Sequence, residues 1–192
     1  MTWLIAGLGN PGPAYAATRH NIGAMVVEAF AHRTKSPLTR HKRALALSAE
    51  THVGLPGAIQ KVVLAFPLSF MNESGGPVKA LMDFYDVEPE NLIVVHDELD
   101  IDFSTIRLKF SGGDNGHNGL KSIRKVLGTG DFYRERLGVG RPVGRQSPAD
   151  YVLSAFSAEE RKELPEFIDR STDALETLIL QGLEQAQSQF NS

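Results

Sequence analysis

Cysteine is absent from the 192 residues, which excludes disulfides and thiolate metal sites and suits a reducing cytosol. No run of about 18 or more apolar residues occurs, so no segment reads as a membrane-spanning helix. The N-terminus, Met1-Thr2-Trp3-Leu4-Ile5-Ala6, has no basic lead-in and too short an apolar run for a signal peptide. Repeats, long linkers and low-complexity segments are missing. So are the G-x-S-x-G elbow, the H-E-x-x-H zinc pair and the Gly-Lys-Ser/Thr close of a Walker A loop. Their absence removes the signatures of serine esterases, zinc proteases and P-loop nucleotidases.

What is present describes an ordinary globular domain, with 42% hydrophobic and 22% charged residues, and the length predicts one domain over 1–192. The net charge of -3 hides an uneven distribution. Residues 103–145 carry nine Lys/Arg against three Asp/Glu, while residues 146–192 carry three against nine. A basic stretch inside an acidic chain is either a solvated face or a docking face for a polyanion.

The chain is organised around Leu92-Ile93-Val94-Val95, a buried strand that runs into His96-Asp97-Glu98-Leu99-Asp100-Ile101-Asp102. A carboxylate at the end of such a strand needs a partner, and ligands of open α/β sheets bind at that level. Asp97 is expected to hold His20, with Glu98, Asp100 and Asp102 forming a solvated acidic loop. A metal bound by several of these carboxylates is the alternative.

Trp3 to Ala6 predicts the first strand. Gly7-Leu8-Gly9-Asn10-Pro11-Gly12 then has the spacing of a dinucleotide fingerprint. Pro11 and Pro13 bracket the last glycine, however, and no acid-tipped second strand follows, so the segment predicts a rigid turn displaying Asn10. His20 precedes a helix with Ile22, Met25, Val26, Ala29 and Phe30 on one face, and Asn21 is its expected cap. Lys35 to Arg43 is a basic surface loop. Strands at Ala44–Val53 and Lys61–Phe66 lead to Phe70, Met71 and Asn72 and a helix bearing Val78, Leu81, Met82 and Tyr85.

Ser104 to Phe110 alternates as a strand with Arg107 and Lys109 on one face. The glycine-rich segment Gly112 to Gly119 allows close backbone approach to a ligand, before a helix from about Leu120 to Leu127. Leu137 to Pro142 predicts a final strand and turn, entered through Arg134 and Arg136. Ser157-Ala158-Glu159-Glu160 is a capping box, and Pro165 is expected to start the long last helix, with an inward stripe of Ile168, Leu175, Leu178, Ile179 and Leu183. The order predicts an α/β fold, an α/β/α sandwich around a twisted mixed sheet.

Five motifs, in order and from end to end, closely resemble the bacterial-type peptidyl-tRNA hydrolases. They are Gly7-Leu8-Gly9-Asn10-Pro11-Gly12, Tyr15-Ala16-Ala17-Thr18-Arg19-His20-Asn21, Phe70-Met71-Asn72-Glu73-Ser74-Gly75, His96-Asp97-Glu98-Leu99-Asp100 and Gly116-His117-Asn118-Gly119-Leu120. The resemblance implies a monomeric cytoplasmic enzyme, without metal or other cofactor, that cleaves the ester joining a peptide to the terminal ribose of tRNA.

It implies His20 as general base, oriented by Asp97, with Asn10 and Asn72 in the catalytic set. Asn72 and Asn118 resemble the family's substrate-binding amides, and Tyr15, Phe70 and Met71 belong to its binding set. Asn10 resembles the residue that tells a blocked peptide end from a free aminoacyl group. Lys109 and Arg136 match basic residues that hold tRNA phosphate. His117 is left between a substrate contact and loop structure. Asp114-Asn115 departs from the family's pattern and places a negative charge near the phosphate path. A non-catalytic RNA-binding relative and a metal-dependent phosphoesterase are the rival readings.

Overall fold

The computed structural model describes residues 1–191. Its centre is a seven-stranded mixed sheet ordered β2-β3-β4-β1-β5-β7-β6. The strands are β1 (Thr2–Gly7), β2 (Thr39–Arg40), β3 (Ala46–Val53), β4 (Gln60–Pro67), β5 (Leu92–Glu98), β6 (Ile106–Phe110) and β7 (Tyr133–Gly138). β1 runs parallel to β4 and β5, and β5 parallel to β7, whereas β2–β3, β3–β4 and β6–β7 pair antiparallel. Every residue of β5 is buried, which explains its continuous apolar start: both faces of this strand are covered.

The helices are α1 (Ile22–Arg33), α2 (Gly75–Tyr85), α3 (Asn118–Leu127), α4 (Pro148–Val152), α5 (Ala158–Gln181) and α6 (Leu183–Phe190). One core lies under α1, α5 and α6, where Ile22, Val26, Phe30, Phe167 and Leu175 meet Ile5, Leu64, Ile93 and Val95 of the sheet. The other lies under α2 and α3, where Val78, Leu81, Leu120 and Ile123 meet Leu4, Ala6, Val63 and Val94. The alternation along each strand feeds the two cores, and the expected α/β/α sandwich follows.

Close contact between α1 and the sheet depends on glycine. A Cβ on Gly23 would lie 2.2 Å from the Val95 carbonyl oxygen, and one on Gly7 would lie 2.2 Å from the Gly23 oxygen. The helix therefore docks at backbone distance, which brings its leading residues His20 and Asn21 against the ends of β1 and β5. Gly7 and Gly9 of the fingerprint-like segment serve this packing, whereas a Cβ on Gly12 would meet nothing within 4 Å. After Gly12 the chain enters successive turns, not a helix, closed by bonds from Tyr15 N–H to the Gly12 carbonyl and from Thr18 N–H to the Tyr15 carbonyl.

Several expectations need correction. The basic loop contains the edge strand β2, paired to Leu47 and Ser48 of β3. β6 begins at Ile106, because Ser104 sits at φ 69° in a turn. β7 begins before Arg134, whose buried guanidinium donates to the carbonyls of Gly130, Phe132 and Gly112. Pro165 lies inside α5, which the Ser157–Glu160 capping box has already opened; its missing N–H removes one helical bond without ending the helix. The break comes at Gly182 (φ 91°), so Leu183 belongs to α6.

Candidate active site

Three parallel strands end at one level, and β1 lies between its later partners β4 and β5, the point at which the strand order reverses. Asn10 follows β1, Phe70-Met71-Asn72 follows β4, and Asp97 is the penultimate residue of β5. His20 comes from the short 3₁₀ turn ahead of α1, and His117 and Asn118 from the start of α3. Together they line an open cleft of about 570 Å³.

Asp97 is buried and holds two imidazoles. His20 Nδ1 lies 2.8 Å from Oδ2 and 3.0 Å from Oδ1. His117 Nε2 lies 2.8 Å from Oδ1. The proton positions follow from the partners. His117 Nδ1 accepts from the N–H groups of Gly119 (3.1 Å) and Leu120 (3.3 Å), so its ring proton is on Nε2 and is donated to Asp97. His20 donates from Nδ1, which leaves its Nε2 lone pair for the cleft.

Charges tune the same groups. Burial pulls the His20 pKa down, but the Asp97 charge and hydrogen bond outweigh it, and the net shift is upward. Burial pushes Asp97 up, yet the two imidazoles hold its carboxyl well below the ordinary carboxylate range. Beneath them His96 is held neutral: burial first, then neighbouring His117, pushes it down to about 3. Its ring meets His117 edge-on, with centroids 4.9 Å apart.

Asn10 is nearly buried and fixed at both ends. Its backbone N–H donates to Asn21 Oδ1, and its carbonyl accepts from Asn21 Nδ2, both at 2.9 Å. Asn21 occupies the expected N-cap position of α1 but makes no side-chain capping bond, because its side chain is spent on Asn10. The Met71 N–H donates to Asn10 Oδ1 at 2.7 Å. With its oxygen so engaged, the free end of the Asn10 amide is its NH2 donor.

Set against known proteins, this chain has many relatives. The model of the family described as peptidyl-tRNA hydrolase matches residues 4–192. The chain belongs to that family. It is 58% identical over 191 residues to a peptidyl-tRNA hydrolase of Streptomyces coelicolor, covering 99% of this chain and 95% of that one. It is 57% identical over 190 residues to one from Frankia casuarinae, covering 99% and 94%. The crystal structure of peptidyl-tRNA hydrolase from Acinetobacter baumannii superimposes with a TM-score of 0.87 at 34% identity, covering 100% of this chain and 95% of that one.

Of the residues singled out in the sequence, Asn10, His20, Phe70, Met71, Asn72, Asp97, His117 and Asn118 share the cleft. Phe70 is 55% exposed at its rim, whereas Met71 is buried and offers mainly backbone. Tyr15, Lys109 and Arg136 do not line the cleft. One reading of the acidic run changes, that of Glu98, while Asp100 stays exposed as expected. Glu98 is buried, not solvated, and pairs with Arg136 at 3.0 Å, so a residue expected to meet phosphate already holds a carboxylate. Asp100 pairs with Arg141 at 2.6 Å.

The departure at Asp114-Asn115 is locally compensated. Asp114 pairs with Arg124 at 2.9 Å, and Asn115 Nδ2 bridges Glu98 Oε2 (3.0 Å) and Asp100 Oδ2 (2.8 Å), tying the glycine loop to the end of β5.

The sequence reading missed the far wall, made by Leu99, Asn115 and the α4 segment through Pro148, Val152 and Leu153. It also missed Arg19. This buried guanidinium reaches Glu160 (2.8 Å) and the Tyr151 carbonyl (3.2 Å) and lies 4.0 Å over the Tyr151 ring, so it couples the His20 turn to α4. A buried-arginine signal was available only in the apolar company of Thr18-Arg19, which spacing alone does not reveal.

One His20 nitrogen, one Asp97 oxygen and one His117 nitrogen lie within 4.8 Å of one another, a set with the donor types of a metal site. His20 Nδ1 and His117 Nε2 stand at hydrogen-bond separations of 2.8 to 3.0 Å from Asp97. A cation bound through these two nitrogens would have to displace both protons and break the arrangement that frees His20 Nε2. No helix among the described residues is long and apolar enough to cross a membrane.

Proposed function

We propose that this chain hydrolyses the ester between a peptide and the terminal ribose of tRNA, with His20 as general base and Asp97 as its anchor. The observation that carries the reading is the His20–Asp97 bond at 2.8 Å, which commits Nδ1 and turns Nε2 to the cleft. Water is a poor nucleophile, and an activated ester needs only a positioned base to make it attack. His20 Nε2 takes the water proton as the oxygen adds to the carbonyl. Asp97 stabilises the imidazolium so formed. The tetrahedral intermediate then collapses, the ribose oxygen leaves with the proton from His20, and peptide and tRNA separate.

The amides around the cleft suit this substrate. Asn10 presents a donor, because Met71 N–H occupies its oxygen. A donor meets the carbonyl of an N-blocked residue favourably and the ammonium of a free aminoacyl group unfavourably. Asn72 and Asn118 supply further donors for peptide groups and for the developing oxyanion, with Phe70 and Tyr15 beside the tRNA end. Lys109 belongs to the basic face that receives phosphate, with Arg136 beside it held by Glu98, and His117 acts on Asp97. We read residues 1–192 as one domain acting as a monomer in the cytoplasm, without a metal.

The test compares N-acetyl-aminoacyl-tRNA with the unblocked form, in EDTA. Release from the blocked substrate, little from the free one and full activity in chelator are expected. The two imidazoles and carboxylate favour one second reading, a metal-dependent phosphoesterase. Activity abolished by EDTA and restored by a divalent cation would select it.

A further inference from the structure

A second groove of about 670 Å³ begins at Asn10, the residue it shares with the catalytic cleft. That volume lies in the range of about 300–1,000 Å³ usual for ligand sites. Its walls are apolar but incompletely covered. Met25 comes from α1, Leu38 from just before β2, and Leu47 and Phe66 face each other across β3 and β4. All four are half-buried. Ala16 stands exposed at the entrance. Nothing in the base chemistry uses this surface.

We infer that this groove receives the upstream residues of the substrate's peptide arm, an inference that rests on the ester-hydrolysis reading above. The sheet gives the direction. The reacting ester lies over β1 and β5, at the middle of the sheet, and its tRNA arm is a polyanion. The basic stretch 103–145 builds β6 and β7, both on the β5 side of β1, and the helix α3 that comes between them in sequence. The groove lies on the other side, towards β4, β3 and β2, where the second arm of the ester must leave.

Its chemistry fits peptide better than nucleotide. A terminal nucleotide would bring phosphate past Glu28, and the single lysine of the lining, Lys35, stands beyond it. Apolar side chains would instead lie against Met25, Leu47 and Phe66. The backbone end of the peptide would emerge at the exposed rim of Glu28, His32 and Lys35.

The test uses the full chain with N-acetyl-leucyl-tRNA and N-acetyl-trileucyl-tRNA. Burying one or two further leucine side chains is expected to raise kcat/KM by tenfold or more on the longer substrate. Ala16→Trp blocks the entrance from an exposed position, and Leu47→Lys charges the wall. Both variants are expected to erase the length advantage while turning over the short substrate at the parent rate. A parent without length preference, or a length advantage that survives both variants, overturns the inference. Equal loss on the two substrates also overturns it and points to the terminal nucleotide as occupant. If the parent hydrolyses neither substrate, the ester-hydrolysis reading itself fails, and the inference with it.

Discussion

His117 donates from Nε2 to Asp97 Oδ1 at 2.8 Å, so the carboxylate that anchors the base is shared with a second imidazole. That bond stabilises the negative charge of Asp97 and weakens its hold on His20. His117→Phe keeps the ring volume and removes the donor. The expected result is an acid limb of the pH–rate profile moved to higher pH, since an unshared carboxylate binds the His20 proton more tightly. A several-fold fall in kcat should accompany it. An unmoved limb would confine His117 to capping α3.

Asp97→Asn should shift the limb the other way. The Asp97 charge and hydrogen bond are what raise the His20 pKa against burial, and without them burial alone acts, downward. In the parent, activity rises with pH as His20 loses its proton, through an apparent pKa above the ordinary histidine value of about 6.5. In the variant the limb falls below that, while kcat drops because the tautomer is no longer fixed. Stopped-time hydrolysis between pH 5 and 9 checks both.

Glu135 on β7 is fully buried, and neither carboxylate oxygen has a hydrogen-bond partner. Burial raises its pKa well above the ordinary value, so the folded chain keeps a proton that the unfolded chain sheds. The unfolded state therefore binds fewer protons above about pH 4.5, and stability declines as pH rises towards the folded pKa. Glu135→Leu should remove that slope and stabilise the fold by about 1–3 kcal/mol. Urea unfolding at pH 5 and pH 8 is the measurement; parallel slopes for parent and variant would contradict it.

Lys109 is half-buried against Gly112, and its pKa is lowered by burial and then by Arg136 and Arg134, a local excess of positive charge. Such an excess favours an anion. Lys109→Ala should raise KM for intact peptidyl-tRNA at low salt and reduce the salt slope of binding by about one charge, leaving short blocked nucleoside esters unaffected. Equal loss on both substrates would place Lys109 in the cleft chemistry instead.

Local patterns carried the elements whose partners are close in sequence or whose faces are uniform. The continuous apolar run Leu92–Val95 identified the central strand, and motif order brought His20 to Asp97 across 77 positions. What was not legible depended on contacts between distant segments. Asn21 is a good cap by composition, but its amide meets the Asn10 backbone because the glycine contact brings α1 so close. Glu98 reads as solvated beside Asp100, yet pairing with Arg136 makes its burial affordable. The α4 wall escaped notice because Pro148 to Leu153 has no motif and gains meaning only where Arg19 fastens it beside His20.

The most direct measurement is single-turnover hydrolysis of N-acetyl-phenylalanyl-tRNA by His20→Ala, with tRNA binding followed separately. The account predicts a rate lower by about 10²–10⁴-fold with binding unchanged, as removal of a general base requires. A variant that cleaves as fast as the parent would contradict it.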